Sequence, residues 1–186
     1  MCRPFLFFIL FWIPCAEITA QKGVNMVSIN GEMTIPIFQN DQGFGFFIKD
    51  SYAINKSGEL TLSAGVSKFN SKNSIETGNI TIRLIPVLFG YKHNIQKFFI
   101  EPKIGLGELG GKILTNGDYQ RPSVAAIFGG LGAGYKIKSF NLGVNFLTAQ
   151  GIENTSAGIW YNKNFHYTSL FMGYDLFQKS RHENFK

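Results

Sequence analysis

Side chains able to do chemistry are few in this sequence and widely scattered. The three histidines, His93, His166 and His182, have no spacing that would gather them on a metal ion, so they read as solvated imidazoles. Both cysteines, Cys2 and Cys15, fall in an N-terminal stretch that reads as removable. The remaining chain then has no thiolate nucleophile, disulfide framework or cysteine-based metal site. Ser156, within "ENTSAGIW" (153–160), is a hydroxyl with no imidazole placed to take its proton. The glycine-rich run at 129–134 has strand period and no following helix, so it is not a phosphate loop. What remains is charge. Glu32, Lys49, Glu101 and Lys103, with Arg83 beside them, are isolated ionic residues of both signs in the middle of alternating segments. Enclosed in a narrow space they would neutralise one another across it, which is structural rather than catalytic chemistry. No enzymatic activity and no cofactor is expected.

The elements that must position these residues are strands. Period-two alternation recurs through the chain, and apolar positions at helical spacing are not sustained anywhere after the N-terminal stretch. Eight strands are predicted, near 27–37, 44–54, 59–69, 80–92, 98–106, 123–137, 140–146 and 165–177. In the third, Leu60, Leu62, Ala64 and Val66 oppose Glu59, Thr61, Ser63, Gly65 and Ser67. In the fifth, Phe98, Ile100, Ile104 and Leu106 oppose Phe99, Glu101, Lys103 and Gly105. Pro86 and Arg83 leave the facing of 80–92 open, since Pro in a strand calls for an edge or a bulge. Asp50 interrupts the apolar face of the second strand, so either a bulge re-aims it or it lies near a water interface.

Period alone does not say which face is wet. A soluble barrel turns the apolar stripe inward and a membrane barrel turns it toward lipid. Three features favour lipid. The runs approach the 9 to 11 residues that a tilted strand needs to cross a bilayer. The polar face carries mid-strand charges of both signs, which an eight-stranded lumen can pair. Aromatics recur near strand ends, as interfacial girdles require: Phe38, Phe44, Tyr52, Phe69, Tyr91, Phe98, Tyr135, Phe140, Tyr174 and Phe177. The connections agree. Those at 55–58, 93–96 and 138–139 are short, whereas 70–79, 107–122 and 149–164 are long and fall on the opposite end. Residues 1–20 read as a cleaved signal peptide, with Arg3 ahead of an apolar run at 5–13 and Ala20 at the cut. Residues 21–177 form the predicted barrel and 178–186 a polar tail.

Several blocks also carry a resemblance. "IPVLFGYKHNIQKFFIEPKIGLGELGG" (85–111), "GGLGAGYKI" (129–137), "LFMGYDLF" (170–177) and the leader ending Ala20-Gln21 resemble the small outer-membrane β-barrel proteins common in Bacteroidetes, related in architecture to the OmpA and OmpX type. The resemblance implies an all-β, eight-stranded antiparallel up-and-down transmembrane barrel, delivered to the outer membrane by the barrel-assembly machinery. Such chains often end on a terminal Phe, whereas Phe177 here is followed by a polar tail. "ENTSAGIW" also looks like the region where barrel lipid A deacylases carry a His-x-Ser-Asn motif, but Asn154 stands at the His position and Ala157 at the Asn position. Function is therefore expected in the long connections, where Lys112, Tyr119, Arg121, Trp160, Tyr161 and Lys163 supply basic and aromatic surface. With a net charge of +6, that surface suits outer-membrane lipid and lipopolysaccharide; the scattered cations do not form a nucleic-acid patch. A monomer is expected. The rival is a soluble secreted or periplasmic lipocalin-like barrel, with the Leu60 face turned inward around a small apolar ligand.

Overall fold

The computed structural model describes residues 24–37, 42–71, 80–115, 118–120, 123–151 and 165–180. Nine strands follow in chain order: β1 (Val24–Pro36), β2 (Gly43–Ala53), β3 (Gly58–Ser71), β4 (Ile80–Ile95), β5 (Phe98–Thr115), β6 (Asp118–Gln120), β7 (Ser123–Ile137), β8 (Phe140–Gly151) and β9 (Phe165–Ser180). All pairings are antiparallel, and β1 closes against β9, so eight strands form a barrel and only the short β6 stands outside it, paired with the far end of β5. Closure leaves no unpaired edge, which a sheet surrounded by hydrocarbon requires.

One end carries tight turns. Asn55 Oδ1 accepts hydrogen bonds from the Ser57 and Gly58 amides at 2.9 and 2.6 Å, an Asx turn that fixes the β2–β3 reversal. The β4–β5 and β7–β8 reversals need only two residues each, led by Gln96 (φ 59°) and Lys138 (φ 55°). The expected turn at 93–96 thus moves to 96–97, because β4 continues in register through Ile95. The predicted connection at 107–122 is also shorter. β5 runs on to Thr115 and β6 turns back along it, so most of that stretch is sheet. β9 likewise continues to Ser180, pairing 178–180 with the start of β1 rather than ending at Phe177.

The alternation resolves the orientation. Leu62 and Val66 point outward, as do Ile104 and Leu106 at 64% and 61% exposure, whereas Glu101 is 1% exposed and Lys92 is 2%. The Leu60 face is therefore the outer face, the reverse of what a lipocalin-like ligand barrel needs. The facing of β4 is also fixed: Leu84, Pro86, Leu88 and Lys92 point inward, and Arg83, Ile85 and Phe89 outward. Pro86 needs neither an edge nor a bulge. The β3–β4 register is the same on both sides of it, and the ladder lapses between Ala64↔Val87 and Ser67↔Leu84. A bulge does occur between Val27 and Ser28, where β1 meets β9. Asp50 stays on the outer face with unbroken register to both neighbours, three residues from the end of β2 at the tight-turn rim.

Exterior aromatics gather at that same rim. Phe98 packs edge-on to Tyr135 at 4.9 Å and Phe140 lies 5.0 Å from Tyr174, with Tyr52 and Tyr91 flanking Leu60 on the neighbouring strands. Phe69 departs from the expected girdle, being buried inside the barrel at 1% exposure. The expected leader (1–20), Phe38 and the residues 181–186 lie outside the described residues.

Candidate functional site

The lumen holds the densest arrangement of polar side chains among the described residues. Because the side-chain period is two, Glu32 on β1, Lys49 on β2, Thr61 on β3, Glu101 and Lys103 on β5, Asn145 on β8 and Ser169 on β9 all face inward. Strand pairing then brings them to one level. Lys49 Nζ lies 2.7 Å from the Glu101 carboxylate, whose Oε1 also accepts the Thr61 hydroxyl at 2.7 Å. Lys103 Nζ stands 3.4 Å from the same carboxylate and donates to Asn145 Oδ1 at 2.9 Å. The Asn145 amide in turn donates to Glu32 Oε1 at 2.9 Å, and the Ser169 hydroxyl donates to Glu32 Oε2 at 3.0 Å. Two carboxylates and two ammonium groups thus form a chain with no net charge. Glu32, Glu101 and Lys103 each keep at least two polar partners and Lys49 is held by Glu101, which is the condition for tolerating ions away from water.

Four of the five residues expected in this network are in it; Arg83 is not. The inward phase of β4 belongs to Leu84, Pro86 and Leu88, so Arg83 falls on the outer wall and pairs with Glu108 at 2.7 Å, both partners being substantially exposed. A long cationic side chain near the end of a strand can reach the aqueous interface, which makes that position tolerable. In its place the lumen contains members that charge counting misses. Thr61, Asn145 and Ser169 are neutral and carry their signal only through phase; what joins them to Glu32 and Glu101 is register, which no single segment reveals.

Below this level, toward the tight turns, lie two further ion pairs. Lys92 Nζ is 3.6 Å from Glu59 Oε2 and sits 4.5 Å from the centroid of the Phe99 ring, a cation–π contact. Lys136 pairs with Asp175 at 3.0 Å, and Asn141 donates to the same carboxylate at 2.8 Å. Above it, toward the long connections, the lumen is mainly apolar, with Thr34 and Ser67 buried among the hydrophobic side chains. Phe69, Ile82, Leu84, Leu88, Phe128 and Leu147 form its centre, with Tyr167 buried among them and edge-on to Phe69 at 5.4 Å. The barrel interior therefore has an oily outer half and an ionic inner half. The enclosed spaces beside the ion network and beside Lys92 measure about 20 and about 10 Å³, the scale of a single water molecule.

Among the described residues no three metal-binding side chains cluster. His166 Nδ1 sits 2.9 Å from the Thr148 hydroxyl and its ring stacks on Phe146, while His93 stacks on Tyr91. Of the expected surface residues, Lys112 lies near the end of β5 and Tyr119 in β6. Arg121, Trp160, Tyr161 and Lys163, with the Ser156 segment, lie outside the described residues.

No family model and no curated relative matches the sequence. Solved structures do match the fold. The attachment invasion locus protein Ail of Yersinia pestis, determined in complex with the heparin analogue sucrose octasulfate, superposes with a TM-score of 0.60 at 15% identity, over 83% of this chain and 99% of that one. Neisserial surface protein A gives 0.56 at 10% identity over 83% and 97%. The N-terminal β-barrel domain of Pseudomonas aeruginosa OprF gives 0.55 at 15% over 83% and 99%. At such identities the likeness is one of fold: this chain is a closed, eight-stranded, antiparallel up-and-down β-barrel of the architecture those outer-membrane proteins share.

Proposed function

We propose that the protein is a non-enzymatic outer-membrane barrel with a lumen closed by its own side chains, which presents its long connections to the cell exterior as an interaction surface. The observation that carries this reading is the inversion of polarity. A belt of Ile, Leu, Val and Phe covers the outside while Glu101, Lys92, Glu32 and Asn145 are buried within. Water would penalise that belt, whereas acyl chains solvate it. The fold shared with Ail, Neisserial surface protein A and OprF supports the outer membrane as the location. The tight turns then face the periplasm and the long connections face outward.

The lumen side chains among the described residues support closure. An apolar plug and a neutral ion network leave room for about one water molecule at a time rather than a file of hydrated ions. Small-ligand cavities are roughly 300 Å³ or larger, so the lumen does not suit a lipocalin-like ligand either. The interaction surface is assigned to Lys112, Tyr119, Arg121, Trp160, Tyr161 and Lys163. Their basic and aromatic character, with the chain's charge of +6, suits anionic glycans such as lipopolysaccharide.

Reconstitution into planar bilayers tests the reading. The expected result is a folded, heat-modifiable protein with no porin-scale conductance; steady open channels of that scale would refute the closed lumen. Recovery of the folded protein from a soluble extract without detergent would refute the membrane location.

A further inference from the structure

The outer wall carries one concentration of cations that the lumen does not explain. Lys68 on β3 is directly opposite Arg83 on β4, and Arg83 is directly opposite Gly110 on β5. Lys112, two residues beyond Gly110, pairs with Thr81, next but one to Arg83. All three cations occupy the outward phase of their strands. With strands about 4.8 Å apart, they fall within a patch roughly 10 Å across. Below, in the same outward files, are Val66 and Ile85 and, beyond Gly110 and Glu108 on β5, Leu106, all exposed members of the apolar belt. The patch therefore marks the border where hydrocarbon gives way to headgroups, at the end of the barrel bearing the long connections.

Two features show that the patch is incomplete as it stands. Like charges directly opposite on paired strands repel, so Lys68 against Arg83 costs the sheet stability. Glu108 relieves only part of this, being held by Arg83 at 2.7 Å, and no ion pair to Lys68 occurs among the described residues. A further anion beside Lys68 would relieve the rest.

We infer that Lys68, Arg83 and Lys112 form a binding site for the phosphate groups of an outer-leaflet glycolipid whose acyl chains lie along Val66, Ile85 and Leu106. The inference rests on the membrane reading above and names one partner for this wall. A soluble polyanion would meet the cations but leave the adjoining apolar files uncovered; a phosphorylated lipid satisfies both. Glu108 acts as an internal competitor that holds the Arg83 guanidinium until phosphate replaces it.

The test uses the full chain folded into phosphatidylcholine nanodiscs doped with bisphosphorylated lipid A, with the dephosphorylated glycolipid, or with phosphatidylglycerol, and reads lipid retention by native mass spectrometry. Heat-modifiable mobility verifies that each variant is folded. Wild type should prefer the bisphosphorylated lipid over both others. Lys68→Gln and Lys112→Gln should each weaken retention about fivefold, the effect of one cation near a charged surface. Glu108→Gln should strengthen it, a gain that a merely structural role for the salt bridge does not produce. Lys138→Gln, in a periplasmic turn, should change nothing. Equal retention of all three lipids, or an unchanged Lys68→Gln with an unchanged Lys112→Gln, would overturn the site while leaving the membrane barrel intact. Failure of the folded protein to enter nanodiscs at all would overturn both.

Discussion

Replacing Glu101 by Gln puts the ionic lumen to a quantitative test. The substitution preserves shape and leaves an oxygen for the Thr61 hydroxyl, so the change is one of charge. Lys49 and Lys103, at 2.7 and 3.4 Å from the carboxylate, would then share a narrow space with only Glu32 as counter-ion. At 2.7 Å the Lys49–Glu101 attraction is about 6 kcal/mol with an effective dielectric of 20 and about 1.5 kcal/mol with that of water. Desolvation offsets part of the first figure, and breaking a buried pair costs about 3–5 kcal/mol in practice. A pair standing in a water-filled pore would cost about 1 kcal/mol or less. Urea unfolding from lipid vesicles, followed by the loss of the heat-resistant gel band, separates these ranges. The expected loss for Glu101→Gln is about 3–5 kcal/mol, with most of it recovered in the double variant Lys49→Met/Glu101→Leu, since an apolar pair of similar volume replaces a buried ion pair at little net cost. A loss under about 1 kcal/mol, or a double variant as unstable as the single, would refute the dry, paired lumen.

Three other outcomes follow from the same geometry. Ile104→Arg, on the outer wall of β5 and 64% exposed, should destabilise the bilayer-inserted protein by about 2–4 kcal/mol, whereas the same change on the exterior of a soluble barrel would be nearly neutral; vesicle unfolding distinguishes them. Phe128→Ala, in the centre of the apolar plug, should cost about 3–5 kcal/mol by the same unfolding assay and raise bilayer conductance above the wild-type background if the plug is what seals the outer half. Gly105→Ala should abolish the heat-modifiable folded band, because a β-carbon there runs into the Val87 carbonyl across the β4–β5 seam, while Gly31→Ala, whose β-carbon would meet nothing, should fold with wild-type stability or slightly more.

Much of this barrel is legible in the sequence because its two faces differ so sharply. Each strand turns an apolar face outward and a more polar face to a packed lumen, and period two records that choice residue by residue: the outward sets of β3, β5, β7 and β8 all appear in the alternation alone. What alternation does not record is where a strand stops once both faces are tolerable. β5 therefore extends through Glu108 and Gly110 to Thr115, where glycines blur the pattern. Arg83 departs from the lumen set for a related reason. Its charge suggests the lumen, but the faces of β4 are apolar on both sides, and only the pairing of Leu84 with Ser67 and Leu109 fixes which side is inside. Phe69 errs in the opposite sense, an aromatic near a strand end that belongs to the plug rather than the girdle. Residue type predicts the interface; register decides the face.

The division of the lumen into an oily half and an ionic half has a physical rationale. A chain of two carboxylates and two ammonium groups is neutral as a unit, so it can sit at depth without drawing in counter-ions or water, provided its ends are capped. The apolar plug caps it on the side of the long connections. On the side of the tight turns the Lys92–Glu59 and Lys136–Asp175 pairs step the charge down toward the turns. Among the described residues each lumen charge has a partner, and the like-charge contact left standing is Lys68 against Arg83, on the outer wall toward the long connections. An interior that has already satisfied its charges offers a ligand little, whereas a repulsive pair on the wall is stabilised by any phosphate that reaches it. The charge left for a partner therefore lies at the outer rim of β3, β4 and β5.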